Sequence, residues 1–382
     1  MLSRVLFAVA ALLLVSSCSR FHTTLLADDT LAGRNNNTAG SAATQDYLIA
    51  LMAQAGAVGL NSGATGDAAF KQPFAQGTNI LGLIPGTDLA DEYLILGAHY
   101  DHLGSCVPVA GASSVCNGAT DNAAGVAEVL DIALYLSLPE HRPRRSVILA
   151  FWDREEDGLL GSLHYVANPL VPLAATVAYI NLDIQGSNLL PSLSRHSIAV
   201  GAETGGQALV DLVDEAIATE PLNVVQFSEI FGQGRSDHAA LISARVPSVF
   251  FTDSTGPCYH TSGDDITVVD FTKLFEQTRI AIALTQRLAN DDVVPTFDAA
   301  RPLATFDDAV SLDNLIQLAL PDIGRFNPSQ QALITAHAST MAGFVADGEA
   351  QFSQSDLTTM LLVALDVVSL LSTGQCDGFL EK

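Results

Sequence analysis

Seven short runs in this chain are apolar without alternation: Asn79–Ile84, Tyr93–Ala98, Ser146–Trp152, Thr176–Leu182, Ser197–Val200, Val224–Phe227 and Ser248–Thr252. A strand with one wet face alternates apolar and polar residues, whereas a strand covered on both faces does not. Segments with helical spacing separate or flank the runs: Asp46–Ala55, Asn122–Leu136, Gly206–Ala218, Asp237–Ser243 and Asp270–Ala289. Strands alternating with helices predict an α/β domain, placed at residues 25–292. Pro295 and Pro302 mark a linker. Beyond it, Asp308–Leu318, Ser329–Val345 and Ser355–Leu371 read as helices, with Ser329 and Ser355 as N-caps. They predict a small C-terminal helical extension at 303–382 that carries no catalytic constellation. His337, inside one of these helices, reads as structural.

Charge narrows the class of ligand. The 382 residues hold 17 Lys+Arg against 42 Asp+Glu, a net charge of −25. Such a chain repels polyanions, which excludes nucleic acid as a partner. With 48% apolar and only 15% charged residues it is also too apolar for a disordered chain. The acidic surplus serves solubility and leaves room for a few buried carboxylates that need cations.

Five clusters of polar residues follow the predicted strands or open a helix. They are Ala98-His99-Tyr100-Asp101-His102, Gly118-Ala119-Thr120-Asp121-Asn122, Asp153-Arg154-Glu155-Glu156-Asp157, Asn181-Leu182-Asp183 and Tyr259-His260-Thr261-Ser262-Gly263-Asp264-Asp265. Ligands bind outside the carboxyl ends of strands in open α/β sheets, so clusters far apart in sequence converge there. Singly each is weak: a lone Asp before a helix, as Asp121 is, usually reads as an N-cap. Together, two histidines and three carboxylates suit zinc, which takes imidazole nitrogen and carboxylate oxygen. The chain has no Cys-x-x-Cys pair for a thiolate zinc site. Gly232-Gln233-Gly234-Arg235-Ser236 does not match the Gly-x-Ser-x-Gly of a serine hydrolase.

The order His-x-Asp, Asp, Glu-Glu, Asp, His resembles the M28 family of zinc aminopeptidases. The likeness extends to Leu31-Ala32-Gly33-Arg34, Asn79-Ile80-Leu81-Gly82 and Arg235-Ser236-Asp237-His238, over about residues 30–290. It implies a mixed, mostly parallel central sheet with helices on both faces, and two Zn²⁺ per chain. His99 and Asp183 would bind one metal, Glu156 and His260 the other, and Asp121 would bridge them. Asp101 would orient the His99 ring. Glu155 would be the general base, and Tyr259 would donate to the developing oxyanion. Arg235 is a weaker candidate for contacting substrate. His102, His141, His164, His196 and His238 fall outside the ligand set, with His238 at most behind it. Two Zn²⁺ bring +4 against −3 from Asp121, Asp183 and Glu156, which makes burial of the carboxylates tolerable.

The implied activity is exopeptidase cleavage of peptides with a free N-terminus. A carboxypeptidase or a glutaminyl cyclase on the same fold competes with it, as does a non-catalytic binding lipoprotein. Residues 1–17 read as a signal peptide: Arg4 precedes an apolar run from Val5 to Val15. Val15-Ser16-Ser17-Cys18 resembles a lipobox, which makes Cys18 a lipidated mature N-terminus holding the chain on the bacterial envelope. Ser19 favours the outer membrane. No later segment has 18 uninterrupted apolar residues, so no transmembrane helix is expected. Export agrees with four further cysteines, for which Cys106–Cys116 and Cys258–Cys376 are the expected disulfides.

Overall fold

The computed structural model describes residues 18–106, 108–109, 113–374 and 376; the expected leader, residues 1–17, lies outside the described residues. The strands are β1 (Val58–Gly59), β2 (Lys71–Pro73), β3 (Thr78–Ile84), β4 (Leu89–His99), β5 (Gly104–Ser105), β6 (Val115–Cys116), β7 (Arg145–Trp152), β8 (Thr176–Leu182), β9 (His196–Val200), β10 (Asn223–Phe227) and β11 (Ser248–Thr252). The helices are α1 (18–26), α2 (Ala39–Gln54), α3 (Ala124–Leu136), α4 (Leu160–Ala167), α5 (Gly206–Ile217), α6 (His238–Ser243), α7 (Phe271–Asn290), α8 (Phe306–Ala319), α9 (Pro328–Asp347) and α10 (Gln354–Leu371).

Nine strands form one mixed sheet in the order β1-β3-β7-β4-β8-β11-β9-β10, with β2 on β3. The central strands β7, β4, β8 and β11 run parallel to one another. Every residue of β7 and β8 is buried, which is why these runs show no alternation. Because the four strands share a direction, His99, Asp153 and Asp183 emerge at one edge of the sheet.

Residues 18–26, between the expected leader and the expected domain start, are helical and pack on the domain through Ser19, His22, Thr23 and Leu26. The Ser19 hydroxyl donates to Asp131 of α3, and His22 Nδ1 meets the Tyr47 hydroxyl of α2 at 2.5 Å.

The extension docks on the β9–β10 end of the sheet. Leu312 and Ile316 of α8, Met341 of α9, and Met360 and Val363 of α10 share a core with Val225, Phe227 and Phe250. The Asp308 carboxylate accepts from the Ser228 amide and hydroxyl, both at 2.7 Å. The caps differ from the expected Ser329 and Ser355. Asn327 and Ser353, two residues earlier, cap α9 and α10, each reciprocated three residues on by Gln330 or Asp356. By length and composition α10 is apolar enough to cross a membrane, with a mean hydropathy of 1.4 over 18 residues; here it packs against α8 and α9. Cys106 pairs with Cys116 and Cys258 with Cys376, as the spacing suggested.

Candidate active site

His99 ends β4, and its ring is fixed from behind. Its Nδ1 donates to the backbone carbonyl of Asp101 at 3.0 Å, so the proton sits on Nδ1 and Nε2 points forward. Nε2 then faces Asp121 Oδ1 at 3.1 Å, Asp183 Oδ1 at 3.2 Å and Glu155 Oε2 at 3.9 Å. On the other side of Asp121, His260 Nε2 lies 3.3 Å from Asp121 Oδ2 and 2.9 Å from Glu156 Oε2. Asp121 thus stands between two histidines, each with a second carboxylate.

Asp121 does not cap α3: the N-cap position is Ala123. Its loop is held by Asp264, which accepts from the Thr120 amide (2.9 Å) and hydroxyl (2.8 Å) and from the Asp121 amide (3.1 Å). The Asn122 side chain donates to the Leu182 carbonyl at 2.9 Å, tying this loop to the strand that delivers Asp183. Gly125 is needed at the same crossing, because a Cβ there would lie 2.6 Å from that carbonyl oxygen.

Asp101 does more than orient His99. Its carboxylate accepts the Glu155 amide at 3.1 Å and the Glu156 amide at 3.4 Å. It therefore fixes the turn after β7, sending Glu155 towards His99 and Glu156 towards His260. Asp153 clamps the start of that turn by accepting the Thr78 amide at 2.7 Å and the Asn36 side chain at 2.6 Å.

His102, read from sequence as outside the set, lies at the site: Nδ1 is 2.5 Å from Glu156 Oε1. The motif offered two residues for one strand end, and nothing in its spacing separated His102 from an ordinary loop histidine. His238 moves the other way. It stacks on Phe250 with ring centroids 4.5 Å apart, and burial lowers its pKa to about 3. Tyr259 stacks on His260, centroids 3.7 Å apart, with the Arg235 guanidinium 6.0 Å from its ring. Tyr259, Arg235, Asp121, Glu155 and Asp183 line one cavity.

The charges explain what this arrangement can hold. Burial alone would lower the His99 pKa, but Asp183, Glu155 and hydrogen bonds with Asp101 and Asp121 carry it well above the usual range. Burial likewise opposes an ionised Asp121, yet the facing imidazoles of His260 and His99 hold it well below. Both shifts mark a position that suits a cation. Burial pushes the Glu155 carboxyl well above its ordinary range, helped by Asp183, Asp237 and Glu156 and opposed by His99. Asp121 Oδ2 and His260 Nε2 are buried without a hydrogen-bond partner although they face each other. Orphaned donor atoms that converge, all nitrogen or carboxylate oxygen, fit a divalent metal such as zinc. His99, Asp121 and Asp183 form one such group; His102, Asp121 and Glu156 form another.

Arg34 supports the cluster from below. It is fully buried and donates to the carbonyls of Leu26 (2.5 Å), Tyr100 (3.0 Å), Asn117 (2.6 Å) and Gly118 (3.0 Å). Burial lowers its pKa to about 10, while Asp121 and Asp264 favour its charge. Arg34→Ala should strand these carbonyls and destabilise the fold by more than about 3 kcal/mol, read as a fall in Tm. Lysine should not restore it, because one ammonium cannot reach acceptors spread along a planar fork.

Comparison with known proteins gives the arrangement a lineage. The chain is 30% identical over 257 residues to the probable glutamate carboxypeptidase LAMP1 of Arabidopsis thaliana, covering 62% of this chain and 35% of that protein. It is 28% identical over 306 residues to the aminopeptidase NAALADL1 of Mus musculus, covering 71% and 39%. It spans well under half the length of these relatives. The fold is similar to the Legionella pneumophila LapA aminopeptidase, with a TM-score of 0.58 at 19% identity over 73% of this chain and 72% of that one. It is also similar to Porphyromonas gingivalis glutaminyl cyclase, with a TM-score of 0.57 at 19% identity over 71% and 98%. The profile of Peptidase family M28 matches residues 79–285, more than half of the chain and every strand end described above, and the chain therefore belongs to peptidase family M28.

Proposed function

We propose that the chain is a two-zinc aminopeptidase. The observation that carries this reading is the placement of Asp121 between His99 and His260, with Glu155 beside the pair in an open cavity. His99 and Asp183 would hold one ion, Glu156 and His260 the other, and Asp121 both, with His102 steadying Glu156. Bound zinc supplies Lewis acidity and lowers the pKa of a coordinated water towards about 7. Glu155, whose burial raises its proton affinity, accepts the proton of the attacking water and delivers it to the leaving amine. Asp101, by accepting the amides of Glu155 and Glu156, fixes the turn that presents both carboxylates. The Tyr259 hydroxyl, kept protonated by burial and by the negative charge of Asp121, donates to the oxygen on which charge develops.

An aminopeptidase must also hold a substrate ammonium, and Glu155 and Asp183 offer it negative charge. N-acetylation of a dipeptide amide removes both the charge and donors. A lost charged hydrogen bond costs about 1.5–3 kcal/mol, so kcat/KM should fall roughly ten- to more than a hundredfold. Equal cleavage of the free and acetylated forms would sink the aminopeptidase reading and favour an endopeptidase, which needs neither free end. A single zinc per chain would favour a glutaminyl cyclase instead.

We also propose that Cys18 carries a lipid anchor that places the domain on a membrane surface of the bacterial envelope. Cys18→Ser should then move the protein out of the membrane fraction while the isolated domain keeps its peptidase activity. Unchanged membrane association would rule the anchor out.

A further inference from the structure

Each candidate metal position joins one histidine and one carboxylate to the shared Asp121, but the two are not held alike. At the His99–Asp183 position the ring is locked: His99 is buried and its Nδ1 is tied to the Asp101 carbonyl. At the His260–Glu156 position the imidazole is looser. A third of its side chain, 33%, is exposed, and it leans on the ring of Tyr259. A metal ion binds more firmly where its ligands are fixed beforehand by outer partners. Order at the second position therefore has to come from Glu156.

Glu156 is held at both ends. Its amide donates to Asp101 at 3.4 Å, and its carboxylate meets His102. Nδ1 of His102 lies 2.5 Å from Oε1, while Oε2 faces His260 at 2.9 Å. A carboxylate only accepts, so the proton sits on Nδ1. The resulting charge-assisted hydrogen bond is stronger than a neutral one; it occupies Oε1 and leaves Oε2 for an ion. The His102 ring is itself fixed. Its side chain is fully buried, and it meets the His260 ring edge-on with centroids 5.8 Å apart. Gly118 makes the room, because a Cβ there would lie 2.6 Å from the ring. His102 Nε2 finds no hydrogen-bond partner among the described residues, so the ring acts through Nδ1.

We propose that His102 decides whether this site keeps two ions or one: by pinning Glu156 it secures the His260–Glu156 position, and without it that position empties first. His102 touches no ion and acts through Glu156, which makes it a positioning residue. It lies outside the ligand set that the family likeness implies. The proposal rests on the two-zinc reading.

The test is equilibrium dialysis of the full chain against a series of free-zinc buffers, with wild type, His102→Leu and His102→Asn compared. Leucine fills much of the space and donates nothing. The asparagine amide reaches the region of Nδ1 and donates to Glu156. Loss of such an outer partner costs about 10–100-fold in metal affinity. His102→Leu should therefore bind one ion as wild type does and the other about 10–100-fold more weakly. Over that range of free zinc it should hold one ion where wild type holds two, and its zinc-dependent rise in Tm should shrink. His102→Asn should bring the second ion back. Should the leucine variant fail to fold, His102→Ser, which removes bulk rather than adding it, takes its place in the comparison. Wild-type affinity for both ions in the leucine or serine variant would overturn the proposal. Asparagine no better than leucine would overturn it too, since His102 would then act as a ligand or by shape. Equal weakening of both ions with a lower Tm in the zinc-free chain would show a merely structural role. A wild-type chain that saturates at one zinc would refute the two-zinc reading itself.

Discussion

Glu155→Ala should keep its metal and lose turnover by about 10²–10⁴-fold, the usual contribution of a general base. The two glutamates of the turn are chemically identical, and the geometry divides them. Glu156 faces two histidines at 2.5 and 2.9 Å, while Glu155 approaches His99 no closer than 3.9 Å. Removing Glu155 therefore leaves both His–carboxylate groups intact. Because the base acts only as charge moves, kcat should carry the loss and KM should change little. A fully metallated Glu155→Ala enzyme with near-normal kcat would show that the proton is handled elsewhere.

Asp121→Ala should be the most damaging single change to metal content. Its two oxygens face different histidines, at 3.1 and 3.3 Å, so one substitution withdraws a donor from both positions. Loss of an outer partner of a ligand costs about 10–100-fold in metal affinity; loss of a shared ligand should exceed that at each position. Occupancy of both sites should fall together in equilibrium dialysis, and the zinc-dependent rise in Tm should shrink, since only an ion that binds the folded state stabilises it. Retention of two zinc ions per chain would refute the shared role.

The sheet was legible because burial on both faces leaves a mark in composition. β7 and β8 are wholly buried, and beyond Arg145, Ser146, Thr176 and Asn181 neither carries a polar residue other than Tyr179. β1 and β2, of two and three residues, carry too little pattern to be seen. Residues 18–26 follow the apolar run Val5–Val15 in sequence, and their own pattern merged with it. Within the site, sequence nominated the residues that the fold brings together, since ligand types recur at strand ends. It did not show what holds them. Asp264 and Asp101 act by accepting backbone amides, and a carboxylate bonded to main chain looks no different in sequence from one in water. His102 was hidden for a related reason: its partner, Glu156, lies 54 residues away. The caps of α9 and α10 were misplaced because a capping box is reciprocal, and only Asn327 and Ser353 have the answering side chain three residues on.

Cys258 lies two residues before His260, and its disulfide reaches across 118 residues to Cys376. A crosslink closing a loop of about 100 residues stabilises by roughly 4.7 kcal/mol on chain-entropy grounds. Here that constraint is delivered next to His260 of the candidate site. The segment after α10 and the loop that carries His260 are thus fastened in one oxidative step. A reduced chain should therefore hold His260 less firmly than the disulfide-bonded one. The expected result is peptidase activity that rises with disulfide formation at constant protein and zinc.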